Sequence, residues 1–260
     1  MNAGATRTAL VTGGGRGIGA AIVVALATAG FDVAIVSVER DSEAAGVIAK
    51  ARALGRKVVY CEHDISLIDG YPALLERIRT ELGEVDCLVN NAGVTSQQRG
   101  DMLDLTPESF DRTVRINLRG TYFLTQAVAR DMVERAAPSG PGYRSIINIT
   151  SANAEIVGPD RADYCITKAA LSMMSKLYAV RLAACGIHVF ELRPGIIRTD
   201  MTEPAAGKYD AYIAQGGVPL QRWGTPEDVA ATVATLAEGR LRFATGEVVN
   251  VGGGLHLHRV

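Results

Sequence analysis

The sequence predicts an α/β fold: a doubly wound, mostly seven-stranded parallel sheet with helices on both faces, in a single domain over residues 1–260. Three observations predict it. Apolar runs of strand length alternate with longer helical patterns from end to end. A glycine-rich stretch, Thr12-Gly13-Gly14-Gly15-Arg16-Gly17-Ile18-Gly19, joins the apolar run Ala9-Leu10-Val11 to a small, apolar helical run from Ala20 to Ala29. Gly30, Gly55, Gly83 and Gly186 each follow a helical pattern closely, where a C-terminal cap belongs.

The first strand, Thr8–Thr12, leads through the glycine turn into a helix over Gly17–Ala29. A strand at Asp32–Ser37, a helix over Ser42–Leu54, a strand at Lys57–Cys61 and a helix over Tyr71–Leu82 repeat the unit. The fourth strand is Cys87–Asn90, followed by a helical pattern from Pro107 to Arg135, long enough to contain a break. Ala137-Pro138-Ser139-Gly140-Pro141-Gly142 reads as a surface turn before the fifth strand, Ser145–Thr150. A helix over Asp163–Ala184 and a strand at Ile187–Leu192 come next. Residues 200–220 hold Pro204, Gly207, Gly216, Gly217 and Pro219 around a short helix; the segment is too long for an ordinary connection and reads as a substrate lid. A helix over Pro226–Ala237 and a strand at Glu247–Val251 close the pattern.

Composition narrows the function classes. A net charge of −1 offers no basic field for nucleic acid or anionic membrane. No uninterrupted apolar run is long enough to span a bilayer, and Met1–Thr8 lacks the apolar core of a signal peptide, so a cytoplasmic protein is expected. Cys61, Cys87, Cys165 and Cys185 show neither disulfide nor metal-ligand spacing and read as small apolar fillers. His256 and His258 have no third ligand nearby in sequence, so they read as a polar tail and no metal site is expected.

Chemistry gathers at a few stretches. Without side chains at Gly13, Gly17 and Gly19, the backbone can turn sharply and approach a pyrophosphate, with the N–H groups of a helix N-terminus aimed at the anion. Tyr164 and Lys168 are spaced i to i+4, which puts both heads on one helix face. An ammonium within about 4–6 Å of a phenol favours the phenolate, so the pair suits a tyrosine acid or base. Ser151 closes the fifth strand, and in a parallel sheet ligands bind outside the carboxyl ends of the strands. Asn90-Asn91-Ala92-Gly93 closes the fourth strand in the same way, while Asn117 by itself reads as a cap or turn.

Together, Thr12 to Gly19, Asn90 to Gly93, Asn117, Ser151, Tyr164 with Lys168, and Pro194-Gly195 resemble the short-chain dehydrogenase/reductase family, with its Rossmann fold. The resemblance extends to Asp64, to Arg222-Trp223-Gly224-Thr225-Pro226-Glu227-Asp228 and to the closing Thr245-Gly246 and Gly252-Gly253. It implies an NAD(P)(H)-dependent oxidoreductase interconverting a carbonyl and a secondary alcohol. Tyr164 would be the general acid in reduction, Lys168 would hold the nicotinamide ribose, Ser151 would polarise the carbonyl, and Asn117 would hold a water for proton resupply. Gly13, Arg16, Gly17, Ile18 and Gly19 would cradle the pyrophosphate side. Asp64 and Ile65 would face the adenine, Asn91, Ala92 and Gly93 the adenosine ribose, and Pro194, Gly195, Ile197 and Thr199 the nicotinamide end.

Cofactor choice turns on the end of the second strand, where an acid bonds a ribose 2′-OH and repels a 2′-phosphate. That position falls at Ser37, which repels nothing, while Arg16, with Arg40 nearby, offers a guanidinium fork to a phosphate; NADP(H) is therefore preferred over NAD(H). Glu39, two residues on, pulls the other way. The chain is most similar to β-ketoacyl-acyl-carrier-protein reductases, implying a small-molecule or carrier-bound carbonyl; a sugar, polyol or other secondary alcohol stays open, as does a dinucleotide-sensing protein without turnover. Met201, Tyr209, Tyr212 and Ile213 offer apolar substrate contacts, Gln97, Gln98 and Arg99 a rim, and Arg119 and Arg130 a hint of an acidic carrier. The resemblance also implies a homotetramer built on 118–133, 169–182 and 247–254.

Overall fold

The computed structural model describes residues 6–135 and 142–257. Its strands are β1 (Thr8–Thr12), β2 (Asp32–Ser37), β3 (Val58–Glu62), β4 (Val85–Asn90), β5 (Arg144–Ile149), β6 (Ile187–Pro194) and β7 (Val248–Val251). They form one seven-stranded sheet in the order β3-β2-β1-β4-β5-β6-β7, every pairing parallel. The chain starts in the middle, runs out to β3, then returns to β4 beside β1 and runs to the opposite edge. That reversal opens a crevice at the carboxyl ends of β1 and β4, where no crossover covers the sheet.

The helices are α1 (Gly17–Thr28), α2 (Ala45–Ala53), α3 (Tyr71–Leu82), α4 (Pro107–Thr113), α5 (Thr121–Glu134), α6 (Ala162–Leu182), α7 (Ala206–Ala214) and α8 (Pro226–Ala237). Alternate strand residues point to opposite faces, so each face has its own core. Val11, Val33, Ile35 and Ile147 meet Ile22 and Leu26 of α1, Val47 of α2, and Val233 and Leu236 of α8. Leu10, Val36, Leu88 and Ile146 meet Ile78 of α3, Leu124 and Met132 of α5, and Leu182 of α6. Because both faces are covered, β1 and β2 are buried at every position, which is why they read as continuous apolar runs. The edge strand β7 is half-buried throughout.

The sequence expectations hold for all seven strands, with shifts at their ends. β6 runs on to Pro194 because it pairs with β7 as far as Pro194↔Val251, and β4 starts at Val85 because Val85 pairs with Thr8. The four glycines expected to close helices all have positive φ. The long pattern from Pro107 to Arg135 is broken: α4 passes into a wide π-helical segment, Val114–Gly120, before α5 begins. At its end a Cβ on Gly120 would collide with the Ile65 carbonyl oxygen, so the segment lies directly on the loop after β3. The short helix expected within 200–220 is α7. The turn expected at 137–142 falls, apart from Gly142, outside the described residues. Among the described residues no helix is long and apolar enough to cross a membrane.

Candidate active site

The loop from β1 into α1 enters the crevice first. Gly13 has φ +63°, and a Cβ there would press against Ala92 at the end of β4. At Gly19 a Cβ would collide with the Gly13 carbonyl oxygen, so the first turn of α1 is drawn tightly onto the loop. Asn91 fixes the other side: its Nδ2 donates to the Thr12 and Gly13 carbonyls at 3.0 and 3.1 Å, while the Asn91 and Ala92 backbone N–H groups both donate to Thr12 Oγ1 at 3.0 Å. These contacts leave the N-terminus of α1 bare toward one large open cleft.

Lining that cleft are Gly13, Arg16, Gly17, Ile18, Gly19, Ser37, Asp64, Ile65, Asn91, Ala92, Gly93, Ser151, Tyr164, Lys168, Pro194, Gly195, Ile197 and Thr199. Every expected cofactor residue is among them. Asn117 is not: it is fully buried just behind Gly93. Its amide pairs with both backbone groups of Val94, accepting from the N–H at 2.8 Å and donating to the carbonyl at 2.9 Å, and it also donates to Thr167 Oγ1 at 3.2 Å. The π-helical segment carries this residue, as such wide turns often do at functional sites.

The opposite wall of the cleft is built by the residues after β5 and by α6. Ser151 follows β5, and its Oγ accepts the Asn153 N–H at 3.1 Å. Tyr164 and Lys168 stand one turn apart on α6, the Lys168 Nζ 5.5 Å from the centre of the Tyr164 ring and 3.1 Å from the Ile149 carbonyl oxygen to which it donates. Burial pushes Lys168 down to about 8, with the Glu191 carboxylate opposing it. The expectation that Lys168 draws the phenol down needs correcting for this state. Burial pushes Tyr164 up, and the Ser151 hydrogen bond and the Arg161 charge only partly offset it, so the phenol holds its proton at neutral pH.

Beyond the end of β2 the structure changes the balance of charges. Glu39 lines the cleft beside Ser37, accepting from the Ser37 hydroxyl and from Arg16 Nε at 2.8 Å. Tyr60 fixes the Glu39 backbone by donating to its carbonyl at 2.5 Å. Burial pushes the Glu39 carboxyl up, but the bonds from Ser37 and Arg16 and the Arg16 charge outweigh it, and it stays ionised. Arg16 is thus already paired with one carboxylate and stands 3.7 Å from Asp200.

Residues 200–220 form one wall. Met201 lines the cleft, as expected of a substrate contact, whereas Ile213 is buried and Tyr209 is turned to accept from Arg161 Nη1 at 3.1 Å. With Lys208 3.6 Å from Asp160, this ties α7 to the start of α6. Gln98 faces a separate small hollow beside Arg161.

A family model described as Enoyl-(Acyl carrier protein) reductase matches residues 13–256. The chain belongs to the short-chain dehydrogenase/reductase family. This short-chain dehydrogenase/reductase is 31% identical over 252 residues to a 3-oxoacyl-[acyl-carrier-protein] reductase of Staphylococcus epidermidis, covering 96% of this chain and 99% of that protein. A Brucella melitensis 3-oxoacyl-[acyl-carrier protein] reductase solved with NAD superposes with a TM-score of 0.93 at 47% identity, covering 98% and 99% of the two chains. A Burkholderia cenocepacia gluconate 5-dehydrogenase solved with NADP and tartrate gives a TM-score of 0.87 at 30% identity over 96% and 94%.

Sequence reasoning missed two buried carboxylates beside the site. Asp163, fully buried one residue before Tyr164, accepts from Ser96, from Ser109 and Thr113 hydroxyls at 2.9 and 3.0 Å, and from the Tyr164 N–H at 2.8 Å. Glu191, 1% exposed, lies inside β6. An acidic residue within the mostly apolar run Ile187–Leu192 was the available signal for Glu191; Asp163 looked like an ordinary first-turn acid.

Proposed function

We propose that this chain is an NAD(H)-dependent ketoreductase that reduces a β-keto thioester of the kind carried by acyl carrier protein. The observation that carries the reading is the convergence of the Ser151 hydroxyl, the Tyr164 phenol and the Lys168 ammonium on one cleft whose other end is the bare N-terminus of α1. That cradle, open only because Gly13 and Gly19 lack side chains, fits a dinucleotide pyrophosphate. The bound cofactor supplies the hydride. Ser151 and Tyr164 donate hydrogen bonds to the carbonyl oxygen, and Tyr164 passes its proton to that oxygen as negative charge develops there. Lys168 holds the nicotinamide ribose and stabilises the phenolate left behind. A phenol that is protonated at neutral pH suits reduction.

The order of cofactors differs from the NADP(H) preference drawn from Arg16, because that preference assumed a free guanidinium. Glu39, ionised and turned to the cleft at the end of β2, supports a ribose 2′-OH as its partner. Residues 200–220, tied to α6 through Tyr209 and Lys208, act as the substrate wall and lid of a single domain. The exposed side chains Tyr122, Ile166, Met173, Leu177 and Val180 on α5 and α6, with the half-buried edge strand β7, support assembly as a homotetramer. Arg130 lines the same α5–α6 groove as Leu177 and Tyr178, so assembly there would take it away from any carrier protein. The four cysteines are free, which fits a cytoplasmic protein.

The deciding experiment pairs Tyr164→Phe with a substrate panel of acetoacetyl thioesters, cyclic ketones and sugar alcohols. The variant is expected to lose turnover and keep NADH affinity within about threefold, since the phenol acts on the reacting oxygen. Turnover retained by the variant refutes the role of Tyr164. Thioesters left unreduced while sugar alcohols are oxidised would replace the substrate class, and cofactor binding with no turnover on any substrate would point to a dinucleotide sensor.

A further inference from the structure

Behind the wall that carries Ser151, Tyr164 and Lys168 lies a chain of buried charges. The Glu191 Oε1 accepts from Thr150 Oγ1 and from Arg193 Nε, both at 2.7 Å, and its Oε2 accepts from Ser172 Oγ at 2.8 Å. Arg193, 5% exposed, donates to Ser172 Oγ at 2.8 Å through Nη2 and pairs outward with Glu155 through Nη1.

Two of those contacts flank the reacting groups. Thr150 stands between Ser151 and Ile149, whose carbonyl oxygen receives the Lys168 ammonium. Ser172 follows Lys168 by one turn on the same face of α6. We propose that Glu191, held by Arg193, is a positioning residue for the reaction: its two oxygens lock α6 to the end of β5, and its charge faces the Lys168 ammonium. The proposal rests on the roles given above to Ser151, Tyr164 and Lys168.

Charge bookkeeping supports a role beyond packing. Lys168, Glu191, Arg193 and Glu155 alternate in sign and sum to zero, so a buried ammonium is balanced without touching a carboxylate directly. Glu191 is the charged group that opposes the effect of burial on Lys168. Around this chain, the residue after β5, Thr150, bonds Glu191 and β7 has no charged residue, while Lys176 of α6 and His256 act on the outer member, Glu155. The charge of Arg161, just before α6, acts on Tyr164. A single buried charge reversal or neutralisation in such a low-dielectric row is felt by the next member.

The test reads Lys168 directly, by the pH titration of its side-chain carbon resonance in lysine-labelled protein, assigned with Lys168→Met. In Glu191→Gln, which keeps the shape, the Lys168 midpoint is expected to fall by about half a pH unit or more. In Arg193→Met it is expected to rise by a similar amount, because the lone carboxylate then faces the ammonium. Opposite signs are not produced by general loosening of the fold. Should either buried variant fail to fold, the other carries the test together with the exposed Glu155→Gln, for which a smaller fall is expected. A midpoint that stays put in the folded variants overturns the proposal. Since this readout needs no turnover, it fails independently of the proposed activity, which Tyr164→Phe tests.

Discussion

If Glu39 selects the cofactor as proposed, Glu39→Gln should shift the cleft beside the end of β2 toward accepting a 2′-phosphate. In the wild-type structure the Glu39 carboxylate is fixed by Ser37, by Arg16 at 2.8 Å and, through its backbone, by Tyr60 at 2.5 Å, so it cannot swing away from a phosphate cheaply. A phosphate charge about 5 Å from that carboxylate is repelled by roughly 1–3 kcal/mol across the dielectric range of a site open to solvent on one side. The isosteric amide removes this repulsion and frees Arg16, 64% exposed, to make a charge-assisted bond to the phosphate. Together these shift the ratio of NADPH to NADH affinity by about 5- to 150-fold toward NADPH, since each 1.4 kcal/mol is a factor of ten. Titration of wild type and variant with each reduced cofactor, followed by nicotinamide fluorescence at fixed ionic strength, measures the ratio. Added salt should shrink the difference, because the pair is partly exposed. A wild type that binds NADPH more tightly than NADH, or a folded variant whose ratio moves less than about twofold, would refute the assignment of Glu39 as the selector.

Other perturbations follow from the same geometry. Lys168→Met should stabilise the cofactor-free protein while abolishing turnover: burial lowers Lys168 from 10.5 to about 8, so the ammonium costs the fold about 3 kcal/mol below pH 8. The folded state binds fewer protons than the unfolded chain between those values, so wild-type stability climbs from pH 8 toward 10.5 and the variant's advantage in urea denaturation should fade over that window; an advantage independent of pH contradicts the cause. Asp163→Asn should cost about 2–4 kcal/mol at pH 7, because three hydroxyls and one N–H are arranged for an acceptor. Burial pushes the Asp163 carboxyl up but those bonds bring it below its usual value, so its contribution is present above the unfolded pKa and lost as pH falls through the lower folded one; thermal melts of the two proteins should converge on acidification. Gly19→Ala should abolish cofactor binding by forcing Gly13 off α1, readable as loss of fluorescence enhancement.

How much of this was legible beforehand depends on whether a feature is local. The glycine turn, the strand runs and the i to i+4 pair of Tyr164 and Lys168 are encoded within a few residues, and the structure gathers those residues into one cleft. Cofactor choice was not local in that sense. Counting along β2 locates Ser37 and Glu39 but cannot tell that both line the cleft, nor that Arg16 from another loop pairs with the carboxylate. An interruption of the long pattern from Pro107 to Arg135 was legible from its length, but not its place or its π-helical form at Val114–Gly120, where Gly120 lies against the Ile65 carbonyl of a loop some fifty residues earlier.

The least legible residues are the buried acids, and their placement explains why the reactive pair needs more than its own spacing. Tyr164 and Lys168 on an isolated helix would be a solvated surface pair, with the phenol at its ordinary value and the ammonium free to rotate. In the fold, Asp163 pins the first turn of α6 to Ser96 after β4 and to Ser109 and Thr113 of α4, while Glu191 pins the next turns to β5 through Thr150 and Ser172. The helix is held at both sides of the pair by carboxylates that bond neither the Tyr164 phenol nor the Lys168 ammonium. A shift of α6 by even one hydrogen bond would separate Tyr164 from Ser151, which follows Thr150, the residue that Glu191 holds just beyond β5. Sequence spacing therefore specifies which groups can meet, and the buried charges on β6 and at the start of α6 determine that they do.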